Sequence, residues 1–314
     1  MRALVTGAGG FVGGWLCRAL AERGAVVTGT RLGGADGAAA APGVERWLEG
    51  DVRDADFLGR ALDESRPDAV FHLAGVSSVG GAAADPGFAT EVNVTGTVRL
   101  LAQVARRRAG GELDPVVLVV GSGEQYGRHD ESAQPLAEGA EQRPLSVYAA
   151  TKSAQEILAL QAFRRDAVRA VCTRSFNHTG PGQGESFVVP ALVRRALALR
   201  ESAGDVLRLG NMRPVRDFAH VCDVVDAYIH LVERGEPGEV YNVCTGVGRS
   251  VREVAETVLE RVGVVARLEE DPALVRPADV PVLVGDPAKL RERAGWAPRR
   301  TFEDCIDDLI HAAT

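Results

Sequence analysis

The stretch that most constrains this chain lies at its start. An apolar run, Arg2 to Thr6, breaks into Thr6-Gly7-Ala8-Gly9-Gly10-Phe11-Val12-Gly13, and Trp15 to Arg23 reads as a helix. Strand, glycine loop and helix in that order are the context a dinucleotide fingerprint requires. Gly7, Gly10 and Gly13 follow one another at three-residue spacing. The first permits a tight turn, the second lets backbone approach a pyrophosphate, and the third lets the helix pack closely on the strand. Amides at the helix start then face the diphosphate, where the helix dipole favours negative charge. A glycine cluster alone marks only a turn. Between a strand and a helix, it makes Gly7, Gly10, Phe11, Val12 and Gly13 candidates for cofactor binding.

Further strand patterns recur at Ala25 to Arg31, Val44 to Leu48, Asp68 to Leu73, Pro115 to Val120 and Val168 to Arg174, with helical stretches between them. Alternation of this kind predicts an α/β fold, a Rossmann-type doubly wound parallel sheet, followed by a smaller mixed α/β C-terminal substrate domain. At 314 residues and 46% hydrophobic content the chain can bury a core of that size. We expect a dinucleotide-binding domain over 1–174, to which about 215–245 returns, and a part over 175–314 that mainly binds substrate.

The end of the second strand is where an acidic residue would bind a ribose 2′-hydroxyl. Thr30-Arg31 stands there instead. A hydroxyl and a guanidinium suit a 2′-phosphate, which predicts NADP(H), with NAD(H) left open. Residues Gly33 to Gly43 are mostly Gly and Ala and read as a mobile surface loop. Asp51, followed by Val52, is placed either to accept from an adenine amino group or to cap the next helix. The strand Asp68 to Leu73 ends in Ala74-Gly75-Val76-Ser77-Ser78, where small residues after Leu73 allow close approach of a ligand. Leu73, Ala74 and Gly75 are thus candidates for the cofactor and Ser77 for the substrate. His72, inside that apolar run, reads as a packed core histidine.

Tyr148 and Lys152 stand four residues apart at a predicted helix start, on one face. A lysine beside a tyrosine stabilises the phenolate and lowers the phenol pKa. Ser122 ends the strand Pro115 to Val120, on the same sheet edge as the glycine loop, and Glu124 follows two residues later.

This combination, Thr6-Gly7-x-x-Gly10-x-x-Gly13 with Asp51, Ser122 and Tyr148-x-x-x-Lys152, resembles the extended short-chain dehydrogenase/reductases. The resemblance spans essentially the whole chain. It implies Tyr148 as general acid/base, Lys152 on the nicotinamide ribose, and Ser122 orienting the reacting oxygen. The second half, with Phe176-Asn177-His178-Thr179-Gly180-Pro181-Gly182-Gln183, Val188 at a helix start, Arg216-Asp217-Phe218 and Arg276-Pro277, is similar to the sugar-nucleotide branch, most of all GDP-mannose dehydratases and their partner reductases. Asn177, Arg216 and Arg276 suit a substrate diphosphate, and Ser77 and Val188 are further substrate-binding candidates. The Gly-Ser-x-Glu-x-Tyr-Gly form resembles the reductase that converts GDP-4-keto-6-deoxy-D-mannose to GDP-D-rhamnose. Glu124, at the position of the dehydratase glutamate, keeps a 4,6-dehydratase or a 4-epimerase as the alternative. A non-catalytic dinucleotide sensor would have no need of Ser122, Tyr148 and Lys152 together.

A net charge of −7 gives no general attraction to nucleic acid. The five cysteines lack paired spacing, which argues against a disulfide framework or zinc site and for a reducing cytoplasm. No basic leader precedes the first strand and no apolar stretch approaches the roughly 18 residues of a membrane span, so neither export nor insertion is expected. Two helices, 86–108 and 145–166, carry apolar residues on more than one face, marked by Phe88, Val92, Leu100, Leu101 and Val104 on the first and Ile157, Leu158, Leu160 and Phe163 on the second. This surplus apolar surface predicts a homodimer through them.

Overall fold

A computed structural model describes residues 1–33, 41–202, 204–274 and 280–314. Most of the Gly/Ala-rich loop and Arg276 lie outside the described residues. The chain opens with β1 (Arg2–Thr6), α1 (Phe11–Glu22), β2 (Val26–Arg31), β3 (Arg46–Glu49), α2 (Ala55–Ser65) and β4 (Ala69–His72). Then come α3 (Val79–Ala84) and α4 (Pro86–Thr90), which passes through a π turn at Glu91–Thr95 into α5 (Gly96–Ala109). β5 (Val116–Ser122), α6 (Val147–Asp166) and β6 (Arg169–Ser175) follow. Next are β7 (Asn177–Thr179), α7 (Val188–Ser202), β8 (Val206–Leu209), β9 (Val215–His220), α8 (Val221–Arg234) and β10 (Val240–Val243). The chain closes with β11 (Gly248–Ser250), α9 (Val251–Val262), β12 (Arg267–Glu270), β13 (Val282–Leu283), α10 (Ala288–Ala294) and α11 (Phe302–Ala313).

The main sheet has the order β10-β6-β5-β4-β1-β2-β3, and every neighbouring pair in it is parallel. The period of two along each strand divides its side chains between two cores. Ala3, Val5, Val116 and Leu118 join α1, α8 and α10 on one face, through Leu16, Leu20, Tyr228 and Leu290. Leu4, Val117 and Val119 join α2, α5 and α6 on the other, through Phe57, Leu58, Leu100 and Ala159. This is the doubly wound arrangement expected. The chain order reverses at β1, which has β4 on one side and β2 on the other, so a crevice opens beyond their C-terminal ends.

A second layer is built from β11-β9-β13 with β7 on β9, and from the pair β12-β8. α7, α9 and α11 pack on it around Leu192, Val258 and Ile306. β9 falls in the stretch expected to return to the main sheet, yet it belongs to this second sheet; α8 and β10 make the return. Leu100, Leu101 and Val104, read in the sequence as surplus apolar surface, are buried in the chain's own core. Phe88 (41% exposed), Val98 (40%) and Ile157 (60%) do remain outside it. No helix among the described residues is long and apolar enough to cross a membrane.

Candidate active site

The crevice begins at the glycine loop. Gly7 has φ +72°, and a Cβ there would lie 2.8 Å from the Ala74 amide nitrogen. A Cβ at Gly13 would lie 2.2 Å from the Gly7 carbonyl oxygen, so only glycine lets α1 pack this close. Gly10 is the N-cap of α1, and no side-chain hydrogen bond caps it among the described residues. The first-turn amides, those of Phe11 and Val12 among them, are thus left for a ligand anion. Tight glycines under an uncapped helix start fit a dinucleotide diphosphate.

The neighbouring strand end is fixed by buried side chains. Thr6 Oγ1 accepts from the Ala74 amide (3.2 Å) and pairs with His72 Nδ1 (2.8 Å), while His72 Nε2 reaches Thr97 Oγ1 (3.0 Å). Burial pushes the His72 pKa down to about 3, and the nearby Lys152 charge adds to the shift. His72 is the neutral core histidine the sequence suggested, and it holds Leu73 and Ala74 against the glycine loop.

At the far end of the crevice the sequence expectations change in detail. Thr30 is buried and gives its backbone carbonyl to the Ala8 amide (3.2 Å), so its hydroxyl is not displayed for a phosphate. Arg31 donates to Glu49 on β3 through Nε (3.1 Å) and Nη2 (2.7 Å), and its guanidinium lies 5.2 Å from the centre of the Trp47 ring. An arriving 2′-phosphate would compete with that carboxylate. Asp51 is not the cap of α2; Asp54 is, accepting from the Asp56 amide. Asp51 instead takes the Arg53 side chain (2.8 and 3.0 Å), whose hydrogen bond holds its carboxyl below the usual range. Val52 is buried, and a Cβ at Gly96 beside it would lie 3.1 Å from its side chain.

The chemical groups gather where β5 ends and α6 begins. Ser146 caps α6, its Oγ accepting from the Ala149 amide (3.1 Å), which fixes the first turn on which Tyr148 rides. Lys152 follows one turn later and is buried (6% exposed), its Nζ donating to the Val120 carbonyl (2.9 Å). Ser122 Oγ accepts from the Glu124 amide (3.2 Å). Burial raises the Tyr148 phenol pKa to about 12; the Ser122 hydroxyl pulls it down, and the Glu124 charge pushes it up.

This corrects the sequence expectation that Lys152 lowers the phenol pKa. Lys152 Nζ lies 6.0 Å from the centre of the Tyr148 ring and is turned to the Val120 carbonyl. Desolvation lowers its own pKa to about 8. In this structure, then, the phenol is firmly protonated at neutral pH.

One residue of this cluster escaped the sequence reading. Asn93, buried in the π turn, accepts from the Val76 amide (2.8 Å) and donates to Thr151 Oγ1 (2.9 Å). A Cβ at Gly75 would lie 2.8 Å from its Oδ1 and 3.8 Å from Lys152 Nζ. The available signal was an amide in the middle of an apolar helix; the π turn displaying it is visible only in three dimensions.

On the substrate side, Ser175 pairs in register with Ser122, and half-buried Asn177 follows two residues later as the first residue of β7, where the chain passes into the second layer. Ser77 is exposed on the loop after β4, and Val188, at the start of α7, is 37% exposed. Arg216 is buried on β9, its Nη1 donating to the carbonyls of Val215 (2.9 Å) and Val280 (2.7 Å). The structure therefore brings together the glycine loop, Leu73 to Gly75, Ser122, Glu124, Tyr148 and Lys152, with Asn177 adjoining. Arg216 and Val188 belong to the second layer.

A fold of this shape serves many chemistries, and a match along nearly the whole chain narrows them. The family GDP-mannose 4,6 dehydratase matches residues 4–309. The chain belongs to that family. GDP-6-deoxy-D-mannose reductase of Pseudomonas aeruginosa is 35% identical to it over 261 residues, 83% of this chain and 84% of the relative. Among solved structures, RMD from Pseudomonas aeruginosa complexed with NADPH has a TM-score of 0.82 at 32% identity, covering 99% of this chain and 98% of its own. UDP-glucose 4-epimerase of Thermus thermophilus in complex with NAD has a TM-score of 0.86 at 30% identity, with the same coverage, 99% and 98%. Family membership bears out the resemblance to the sugar-nucleotide branch of the extended short-chain dehydrogenase/reductases.

Proposed function

We propose that the chain reduces the C4 keto group of a nucleotide-activated 4-keto-6-deoxy sugar with NADPH, taking GDP-4-keto-6-deoxy-D-mannose to GDP-D-rhamnose. The observation that carries this reading is Ser122 beside the Tyr148 phenol, with Lys152 one turn along the same helix, at the mouth of a glycine loop built for a diphosphate. The relatives named for GDP-6-deoxy-D-mannose reduction and for an NADPH complex support both the substrate and the cofactor. NAD(H) is the second choice, since Arg31 is engaged by Glu49.

Bound nicotinamide supplies a hydride to C4. Tyr148 gives its phenolic proton to the C4 oxygen, so an alcohol forms and a phenolate is left to be reprotonated from solvent. A phenol with a pKa near 12 keeps its proton until negative charge develops on that oxygen, which suits reduction. Ser122 donates to the same oxygen and favours the developing alkoxide. Lys152, turned to the Val120 carbonyl and away from the phenol, is left to hold the ribose hydroxyls. Asn177, Arg216 and Arg276 bind the diphosphate, with Ser77 and Val188 against the sugar.

Glu124 favours a second reading, the 4,6-dehydratase, because its charge reaches the phenol from the position two residues past Ser122. Dehydration needs a base at C5 and an acid at C6 in addition to Tyr148, and it regenerates its cofactor, as does 4-epimerisation. Several 4-keto-6-deoxy sugar nucleotides, each incubated with stoichiometric NADPH and followed at the nicotinamide absorbance, separate these reactions. Reduction consumes one NADPH per sugar. Product formation without net oxidation sinks the reductase, and cofactor binding with no turnover on any sugar favours a sensor.

The apolar side chains left outside the core, Phe88, Val98 and Ile157, support a homodimer through α4, α5 and α6. Sedimentation velocity is expected to give a dimer that Ile157→Arg converts to monomer; a monomeric parent chain rules the dimer out. All five cysteines are free thiols, in keeping with a reducing cytoplasm.

A further inference from the structure

A buried chain of polar side chains runs from the end of β5 to the interior side of α6. The Ser122 amide donates to Gln125 Oε1 (2.8 Å), and Gln125 Nε2 donates to Glu156 Oε2 (2.8 Å). Arg174 on β6 grips both Glu156 oxygens, through Nε (2.9 Å) and Nη2 (2.7 Å). Gln125 has no exposed surface, and the Glu156 and Arg174 side chains are 4% and 6% exposed. Gly121 leaves room for the contact, because a Cβ there would lie 2.4 Å from Gln125 Oε1.

The placement of Glu156 gives this chain its meaning. It follows Lys152 by four residues and Tyr148 by eight, so one stripe of α6 carries phenol, ammonium and anchor in succession. A tether from Ser122 to Glu156 is therefore a tether from the serine to the helix that carries Tyr148. Away from water such hydrogen bonds stiffen one another, and a charged acceptor strengthens the one Gln125 makes.

We infer that Gln125 and Glu156 are positioning residues for Ser122, setting the distance between its hydroxyl and the Tyr148 phenol. The inference rests on the proposed reduction, in which both groups meet the same oxygen. A displacement of the order of 1 Å at such a site costs roughly 100-fold in rate.

Gln125→Met keeps the side chain's length and removes all three of its hydrogen bonds, the third running from Nε2 to Gln142 Oε1 (3.3 Å). With NADPH and the 4-keto sugar nucleotide, kcat is expected to fall roughly 10- to 100-fold, with Kd for NADPH unchanged within about twofold. A double-mutant cycle with Ser122→Ala separates positioning from general loosening. Once the serine hydroxyl is gone, Gln125→Met should cost less than about twofold in kcat. Losses that simply multiply would overturn the inference. Hydrogen exchange of the segment 116–127 reads the tether without any turnover: Ser122 amide protection must drop in Gln125→Met. If the parent chain reduces no keto sugar, the functional reading fails by itself, and unchanged exchange in the variant then refutes the tether as well.

Discussion

Tyr148→Phe is expected to lower kcat for keto-sugar reduction by about 10²- to 10⁴-fold, the range for removing a positioned acid, while cofactor affinity is retained. The substitution removes one oxygen from a half-buried side chain and leaves the backbone contact Thr151 Oγ1 to Tyr148 O (2.8 Å) in place. The loss should fall on the chemical step, which single-turnover hydride transfer measures directly. pH provides the control. Lys152 titrates near pH 8 because burial disfavours its charge. An anionic dinucleotide favours the ammonium, so binding takes up a proton, and affinity must weaken as pH rises through about 8. Tyr148→Phe should show the same slope, whereas Lys152→Met should flatten it. Near-full activity in the Phe variant would remove Tyr148 from the acid role.

How much of this was legible beforehand depended on the range of each interaction. The glycine loop, the parallel strands and the Tyr148/Lys152 face follow from local spacing, and the fold places them as expected. Readings that needed a partner distant in sequence went differently. Arg31 meets Glu49 only because β3 pairs with β2, and Thr30 is hidden because both faces of β2 are covered. Lys152 is turned from the phenol by the Val120 carbonyl, an acceptor supplied by a strand end more than 30 residues earlier. Asn93 becomes important through a π turn that no periodicity announces. Leu100, Leu101 and Val104 looked like surplus apolar surface because a helix wedged between a sheet and another helix is apolar on more than one face without any partner chain. Nothing local in the sequence indicates that Arg174 and Gln125 will enclose Glu156.

That enclosure sets the largest stability effect expected of a single substitution. Arg174→Met should destabilise the fold by about 3–5 kcal/mol, because it leaves the Glu156 carboxylate buried without its cation. Gln125 and Gln142 still donate to Glu156 (2.8 and 2.6 Å), but two neutral amides do not replace a bidentate guanidinium. The substitution also removes the donor to the Glu138 carbonyl (2.9 Å) and the stacking on Tyr126, whose ring centre lies 4.7 Å from the guanidinium. Tyr126 in turn donates to Asn242 Oδ1 (2.7 Å) on β10, so the damage spreads along the β5-β6-β10 side of the sheet. Converting both partners, Arg174→Met with Glu156→Leu, should cost less than Arg174→Met alone, since no unpaired charge then remains buried. Denaturant melts of the parent, both single variants and the double variant measure the difference. A cost below about 1 kcal/mol for Arg174→Met would mean that water reaches the pair, since exposed ion pairs contribute no more than that. The tether from Glu156 to Ser122 would then lose the dry surroundings on which its stiffness depends.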